Sequence, residues 1–195
     1  TTGKYDETPL NPGFHLYVPV FQKVIVVDTK VRLLNYRSVE EMSGFDAGIK
    51  INPAINILDA RGLPVSIELT VQYRLTASGA PSTIATWGLS WEDKIVNPVV
   101  RNIVRNVVGG FNAEELPTKR NEIATMIEQG IRGQVEGLEG KPVSVESVQL
   151  REIVLPAKIK EQIERVQIAN QESERVRYEV LRAKQEAEKR AAQAT

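Results

Sequence analysis

The stretch that decides the fold runs from Gln149 to Thr195 and reads QLREIVLPAKIKEQIERVQIANQESERVRYEVLRAKQEAEKRAAQAT. A β-like run ends at Pro156, and the segment after it contains no glycine and no further proline. Proline is tolerated in the first turn of a helix, because its missing N–H would have no intrahelical partner there. We therefore predict a strand that changes at Pro156 into a helix of roughly 40 residues, about 60 Å long.

One face of this predicted helix carries apolar and small residues at steps of three and four. The spacing averages about 3.5 residues, which is typical of a coiled-coil seam and narrower than a core-facing stripe. Most of the distal members are alanine, so the helix buries little apolar area per residue and needs several neighbours. We call this face the seam; its residues are Ile159, Ile163, Val166, Ala169, Ser173, Val176, Val180, Ala183 and Ala187, followed by Ala191 and Ala194.

Charged residues of both signs cover the other faces of the predicted helix. Glu161 with Arg165, and Glu186 with Arg190, stand four residues apart in the favourable order. This pattern allows two interpretations. The helix is either a solvated rod held by its own ion pairs, or a self-association element that lies beside like helices.

Composition limits the classes of function. The 195 residues suffice for one domain of about 150 residues plus this helix. Lysine and arginine together number 25, as do aspartate and glutamate, so there is no basic excess of the kind that binds nucleic acid. The absence of cysteine and of N-glycosylation sequons favours an intracellular setting. No apolar run reaches about 18 residues, so nothing in the chain spans a bilayer as a helix. Both ends look trimmed, which is compatible with a removed membrane anchor.

The first half of the chain reads as strands. An apolar run from Phe14 to Leu34 alternates cleanly from Ile25 onward, which predicts a strand with Leu33 on its inner side. A loop is expected over 35–48, then a short strand broken at Pro53 and a turn at 59–62. The clearest strand comes next, over 65–75, and its alternation predicts one wet face and antiparallel pairing.

At Ala80 the period changes from two to about 3.6. We predict a helix from Ala80 to Trp87, a second that starts with a cap at Ser90 and is kinked by Pro98, and a third over about 118–135. A β-like run over 143–155 then loses phase near Ser147, as a bulge would cause. The fold class is therefore α+β with a mostly antiparallel sheet, packed helices and an appended coiled-coil helix. We expect a β-rich lobe over 1–79, an α/β lobe over 80–155 and the coiled-coil helix over 156–195.

Residues for catalysis or metal binding are scarce. The single histidine, His15, stands in an apolar stretch, and without cysteine or a second histidine it cannot form an ordinary transition-metal site. Gly140-Lys141 is followed by Pro142 instead of serine or threonine, so it is not a phosphate-binding loop. Serine and threonine lack a base. We predict no enzyme, no metal centre and no bound cofactor.

Two tryptophans, Trp87 and Trp91, bracket Gly88. The first interpretation is that both indoles pack in the core or in a subunit contact. The second is a membrane-interface pair, because an indole is stable half in water and half in an apolar phase.

Several stretches, taken in order, resemble the SPFH or Band 7 family of stomatin, prohibitin, flotillin and HflK/HflC. Pro12-Gly13-Phe14-His15 with Val18-Pro19 resembles the family's proline-glycine-x-histidine motif. The stretches 62–65 and 70–74 resemble its central hairpin. The segment Phe111-Asn112-Ala113-Glu114-Glu115-Leu116 with Thr118-Lys119-Arg120, and the helix segment 169–175, resemble prohibitin most. Residues 36–60 are longer than the prohibitin region and nearer to stomatin or HflC.

The resemblance implies a membrane anchor just before Thr1, large rings or cages, and non-enzymatic membrane scaffolding that organises membrane microdomains. It also implies, in many members, control of membrane-bound AAA proteases such as FtsH. The expected partners are thus copies of the same family, membrane lipid and such a protease, with no nucleic acid. The globular part is expected in an intracellular, periplasmic or intermembrane compartment.

Two hypotheses stay open. The first is a membrane-attached scaffold whose helices after Pro156 pack side by side. The second is a soluble adaptor whose long helix binds the coiled coil of a different protein. A hetero-partner predicts one stoichiometric companion and no large homo-oligomer.

Overall fold

The computed structural model describes residues 4–38 and 49–193. The chain divides into two compact units, Thr1–Val154 and Leu155–Thr195. Part of the loop that we predict over 35–48 is strand as far as Arg37, and 39–48 lie outside the described residues. The elements are β1 (Arg32–Arg37), β2 (Ile49–Pro53), β3 (Ile55–Leu58), β4 (Pro64–Leu75), α1 (Ala80–Trp87), α2 (Asn97–Val108), α3 (Arg120–Glu136), β5 (Val143–Val154) and α4 (Ala157–Gln193).

β4 is the central strand of the sheet. It pairs antiparallel with β5 along one edge, and with β3 and then β1 along the other. β2 adds to the far edge of β1 in parallel orientation, so the sheet is mixed. The residues that we expect on the inner face of β4 are buried, which confirms the alternation: Val65, Ile67, Leu69, Val71, Tyr73 and Leu75.

We predicted that the other face of β4 is exposed to solvent, but the centre of that face is buried. Glu68 is 6% exposed and Thr70 is 7% exposed. Thr70 Oγ1 donates a hydrogen bond of 2.7 Å to Oδ1 of the buried Asn35 on β1. The backbone N–H of Ser38 donates to Glu68 at 2.9 Å. Polar residues are tolerated here because their hydrogen bonds are made inside the protein.

The predicted strand that begins at Ile25 is wrong. Residues 23–31 form no strand; β1 begins at Arg32, and its deepest side chains are Leu34 and Tyr36, at 1% and 0% exposure, instead of Leu33. The Asp28 carboxylate accepts a hydrogen bond of 2.9 Å from the backbone N–H of Lys30. Such a local turn competes with strand pairing, which the alternation alone does not reveal.

β5 contains two irregularities in its pairing with β4. The register skips Glu146 between Ser147 and Val145, and skips Arg151 between Glu152 and Leu150. The first confirms the loss of phase that the sequence predicts near Ser147. A bulge leaves one residue without a partner on the opposite strand, so both places need other groups to bind their carbonyls.

The helices lie where the sequence predicts them, but the start of α2 differs. The side chain of Ser90 caps nothing; a π-helical turn over Glu92–Val96 leads into α2 instead. Pro98 lies in the first turn of α2, directly after the π-helical turn, and the kink that we expect there stays a prediction. In α3 the buried stripe is the one expected from the spacing: Ile123, Ile127, Ile131 and Val135.

α3 packs against both β5 and α2, and Gly130 marks the close approach to α2. A Cβ atom at Gly130 would lie 2.8 Å from Cγ2 of Ile103. The glycine that weakens the helix by its low propensity therefore allows the two helices to pack.

The architecture confirms an α+β fold with a long C-terminal helix. The ten paired positions between β4 and β5 join the two lobes that we expect to meet at residue 79. That subdivision stays a prediction, as does the coiled-coil pairing of α4.

Candidate assembly surface

α4 is a single helix of 37 residues, about 55 Å long at 1.5 Å per residue. The carbonyl of Pro156 accepts hydrogen bonds from the N–H groups of Ile159 (2.9 Å) and Lys160 (3.1 Å), which closes the first turn. The change from strand to helix at Pro156 is therefore confirmed, and no proline or glycine interrupts the helix beyond it.

The seam is exposed over most of its length. Ile159 is buried and Ile163 is half-buried, but Val166, Val176 and Val180 are 59%, 48% and 62% exposed. The remaining members are exposed as well: Ala169, Ser173, Ala183 and Ala187. From Val166 to Ala187 the steps alternate strictly between three and four, the spacing of a and d positions in a heptad. No described residue of the second unit covers this face.

Ion pairs along α4 are few and exposed. Arg175 lies between Glu172 at 3.4 Å and Glu179 at 3.7 Å, and Arg182 lies 3.4 Å from Glu186. Exposed pairs within a helix contribute about 0.3–0.5 kcal/mol each. Such pairs support a helix that has neighbours, but a rod of this length gains more from burying the seam.

Three large apolar residues of α4 lie off the seam, and the heptad spacing did not predict them. Ile168, Tyr178 and Leu181 are 62%, 71% and 52% exposed. In the heptad set by Val166 they occupy outer positions. Their size could have revealed them in the sequence, because the solvated face of a helix usually carries no large apolar side chain.

Two arginines hold the bulges of β5. Arg120 donates to the carbonyls of Leu150 (3.0 Å) and Arg151 (2.6 Å) at one bulge. Arg132 donates to the carbonyls of Val145 and Glu146 at the other. The guanidinium has five donors in a planar fork, so one side chain satisfies two adjacent carbonyls. Arg120, the arginine of the prohibitin-like segment, therefore has a structural role: it supports β5, the strand that precedes α4.

A second structural cluster is centred on Asp59, at the turn between β3 and β4. Asp59 is 5% exposed, and its carboxylate accepts three backbone hydrogen bonds, from Arg61 (2.8 Å), Leu63 (2.7 Å) and Ala113 (2.8 Å). Burial by itself raises the pKa of Asp59, but the three N–H donors favour the charged form and leave the pKa below its usual value. Asp59 thus fastens the turn to the prohibitin-like segment that begins at Phe111.

The two tryptophans differ in their surroundings. Trp91 is 3% exposed, and its ring meets that of Tyr73 edge to face with centroids 6.0 Å apart. Trp87 is half-buried at the end of α1. The membrane-interface interpretation therefore does not hold for Trp91, because its indole lies within the first unit. For Trp87 it stays a prediction.

We also searched the described residues for a cavity, a metal site and a membrane-spanning helix. An open cavity of about 660 Å³ lies beside α3, with Thr76, Gln129, Arg132 and Lys141 among its lining residues. In the described part of the chain, no three His, Cys, Asp or Glu side chains converge as a metal site requires. Within residues 4–38 and 49–193, no helix combines the length and the apolar character needed to cross a bilayer.

Comparison with known proteins identifies the family of this chain. The profile of the SPFH domain / Band 7 family matches residues 1–193. The chain belongs to the SPFH/Band 7 family. It is 26% identical over 193 residues to prohibitin-2 of Gallus gallus, an alignment that covers 98% of this chain and 57% of that protein. It is also 26% identical over 174 residues to prohibitin-1 of Schizosaccharomyces pombe, with 89% and 55% covered.

This SPFH chain thus spans somewhat more than half the length of the prohibitins that it matches. A third relative, prohibitin-1 of Colletotrichum higginsianum, is 23% identical over 180 residues, covering 92% of this chain and 58% of that protein. The resemblance found in the sequence, including its prohibitin-like character, is confirmed. SPFH proteins are membrane-associated scaffolds, so membership supports a scaffold role in general terms.

Proposed function

We propose that this chain is part of a non-enzymatic, membrane-associated scaffold that assembles into rings or cages through α4. The observation that carries the proposal is the exposed seam: small and apolar side chains at heptad spacing from Val166 to Ala187, half or more exposed at Val166 and Val180. A long helix with such a face is stable when copies lie beside it.

The weakness of the seam fits a scaffold that works on a membrane. Alanine and serine contribute little apolar area, so a contact between two free helices is weak. Attachment to a common membrane raises the effective concentration of neighbours, and many weak contacts then act together. The wall of helices would enclose a patch of lipid and protein, which organises a membrane microdomain.

We extend the proposal to two kinds of partner. One is membrane lipid, reached through an anchor in the natural protein. The other is an FtsH-like AAA protease bound to the same membrane. Support for both comes from family membership. Cross-linking in intact membranes, followed by purification of this protein, tests the second: recovery of an AAA protease supports it, and its consistent absence contradicts it.

The experiment on assembly compares two neighbouring substitutions in the complete, membrane-attached protein. Val180→Asp places a charge on the seam, whereas Leu181→Asp places the same charge on an outer position; the two side chains are 62% and 52% exposed, so neither substitution disturbs the folded chain. After mild detergent extraction, sedimentation and electron microscopy should show large assemblies for the natural protein and for Leu181→Asp. For Val180→Asp we expect the assembled fraction to fall at least ten-fold.

Equal assembly of the natural protein and Val180→Asp would contradict the role of the seam. A natural protein that sediments as one subunit with one different, stoichiometric companion would favour the soluble adaptor instead. Ile163→Asp is a less clean variant, because Ile163 is half-buried and its substitution tests the fold as well.

A further inference from the structure

β5 forms one edge of the sheet. In the described part of the chain it pairs with β4 alone, so its other side meets no strand. The backbone N–H and C=O groups along such an edge can pair with a strand of another molecule, which is a common route to aggregation. With 12 residues β5 is about twice as long as an average strand, so an open edge here would be a large pairing surface.

The backbone groups at the first bulge of β5 are occupied by side chains of α3. The N–H of Val145 donates to the Glu136 carboxylate at 3.0 Å, and the carbonyl of Val145 accepts from Arg132. The carbonyl of Glu146, the residue that the register skips, also accepts from Arg132, at 3.4 Å. Since these groups bond to α3, they are not available to an added strand.

The guanidinium at this bulge is held in place by its own helix. Arg132 lies 3.1 Å from Glu128 and 3.3 Å from Glu136, one turn away on each side. The planar fork of an arginine fixed in this way loses little further freedom when it binds two carbonyls. The donors are therefore directed at the bulge by α3 itself.

The second bulge is occupied from the first residue of α3. Arg120 donates to the carbonyls of Leu150 (3.0 Å) and Arg151 (2.6 Å). The stretches of β5 that stay open are 143–144, 147–149 and 152–154, each of three residues or fewer. An average strand has about five or six residues, so none of these stretches is long enough to seat one.

Prolines limit pairing beyond both ends of the strand. Pro142 directly precedes β5, and Pro156 follows it after one intervening residue. Proline has no N–H to donate to a neighbouring strand, and it is one of the residues that natural sheets use at edges.

From these contacts we infer that α3 closes the free edge of β5 to strand addition. The closure keeps globular units that stand close together from joining edge to edge into a continuous sheet. It matters most where many copies share one membrane, because the effective concentration of edges is then high. The inference concerns the first unit alone and goes beyond the proposed function, since the edge is closed whether or not α4 assembles.

The double variant Arg120→Met/Arg132→Met tests the closure in the 195-residue chain, because methionine removes the donors and keeps an unbranched side chain. In sedimentation velocity the fraction larger than one subunit should rise at least ten-fold over the natural chain. Arg120→Met alone opens residues 147–154 and should give a smaller rise in the same direction. It is the milder variant for the fold, because Arg120 is exposed.

The matched control is Arg105→Met/Arg151→Met. It removes the same two charges from exposed arginines, and in the described part of the chain neither of these side chains donates to a carbonyl of β5. The control should sediment like the natural chain. A rise in the control as large as that in Arg120→Met/Arg132→Met would contradict the inference, because loss of charge would then explain both.

Two further changes at the exposed Gln149 separate edge pairing from unfolding. Adding Gln149→Lys to the double variant places like charges where two β5 edges would meet, and it should restore the sedimentation of the natural chain. Gln149→Cys in the double variant should cross-link with itself through a short bis-maleimide, since the chain contains no other cysteine. Gln149→Cys in the otherwise natural chain should cross-link at least five-fold less.

The inference is overturned by any of three results. The double variant sediments like the natural chain, so the edge is closed by something else. Its larger species form without rescue by Gln149→Lys and without the cross-link, so the arginines support only the fold. Gln149→Cys cross-links as strongly in the otherwise natural chain as in the double variant, so the edge was never closed.

Discussion

The two units of this chain place their apolar residues in opposite ways. In the first unit the large side chains of β4 and α3 are buried; Ile67 and Ile131 are both 0% exposed. In the second unit the side chains of comparable size, such as Ile168 and Val180, are each 62% exposed. The first unit therefore obtains its stability from its own core. The helix of the second unit leaves much of its apolar face exposed.

The largest expected difference comes from the same substitution in each unit. Ile127→Ala removes a side chain that is 1% exposed and should reduce the free energy of unfolding of the first unit by about 3–4 kcal/mol. Ile168→Ala removes a side chain that is 62% exposed, and it should change the same free energy of unfolding by less than about 0.5 kcal/mol. Urea denaturation followed by tryptophan fluorescence measures both. Similar losses for the two variants would show that the contrast between the units is not real.

The next effect concerns the buried carboxylate of Asp59. Asp59→Asn turns an amide group toward backbone N–H donors and should destabilise the first unit by about 2 kcal/mol at pH 7. The pKa of Asp59 is lowered in the folded state, so its contribution is complete above its unfolded pKa, near 3.9, and is lost as the pH falls through the folded value. Denaturation curves between pH 7 and pH 2.5 should therefore converge for the natural protein and the variant.

Asp28→Asn is the control for that experiment, because the Asp28 side chain is 46% exposed. Its stability curve should parallel that of the natural protein at every pH. A constant difference between the natural protein and Asp59→Asn over the whole range would mean that the charge of Asp59 is not what holds the turn.

A smaller effect, with opposite signs at two positions, tests the packing of α3. Gly130→Ala gains helix propensity but places Cβ 2.8 Å from Ile103, so we expect a net loss of about 1 kcal/mol. Gly133→Ala meets no atom within 4 Å and should gain about 0.5–1 kcal/mol. Thermal unfolding of the two variants side by side gives the comparison. A gain at both positions would show that α2 and α3 do not pack as closely as described.

Periodic features of the fold were predictable from the sequence. The alternation of β4, the four-residue spacing of Ile123, Ile127 and Ile131, and the change at Pro156 all survive in the structure. They survive because each reflects one local geometry repeated over many residues. The long helix α4 was predictable for the same reason, and the coiled-coil pairing of its seam stays a prediction.

Features that depend on particular side chains were not predictable. The turn at Asp28 ends an otherwise good strand pattern, and a π-helical turn replaces the expected cap at Ser90. Arg120 and Arg132 reach bulges that are 30 and 13 residues away in sequence. Such contacts between distant residues leave no periodic signal. The self-association that we propose for the seam would be a property of several chains, which the sequence of one chain does not display.

Hydrogen–deuterium exchange, measured on the isolated chain and on the complete protein assembled on its membrane, tests the central claim most directly. The core strand β4 should be equally protected in both samples, because its hydrogen bonds lie within the first unit. The amides of α4 from Val166 to Ala187 should exchange quickly in the isolated chain and at least ten-fold more slowly in the assembly. Protection of α4 that is the same in both samples would contradict the account, because the helix would then be stable without its neighbours.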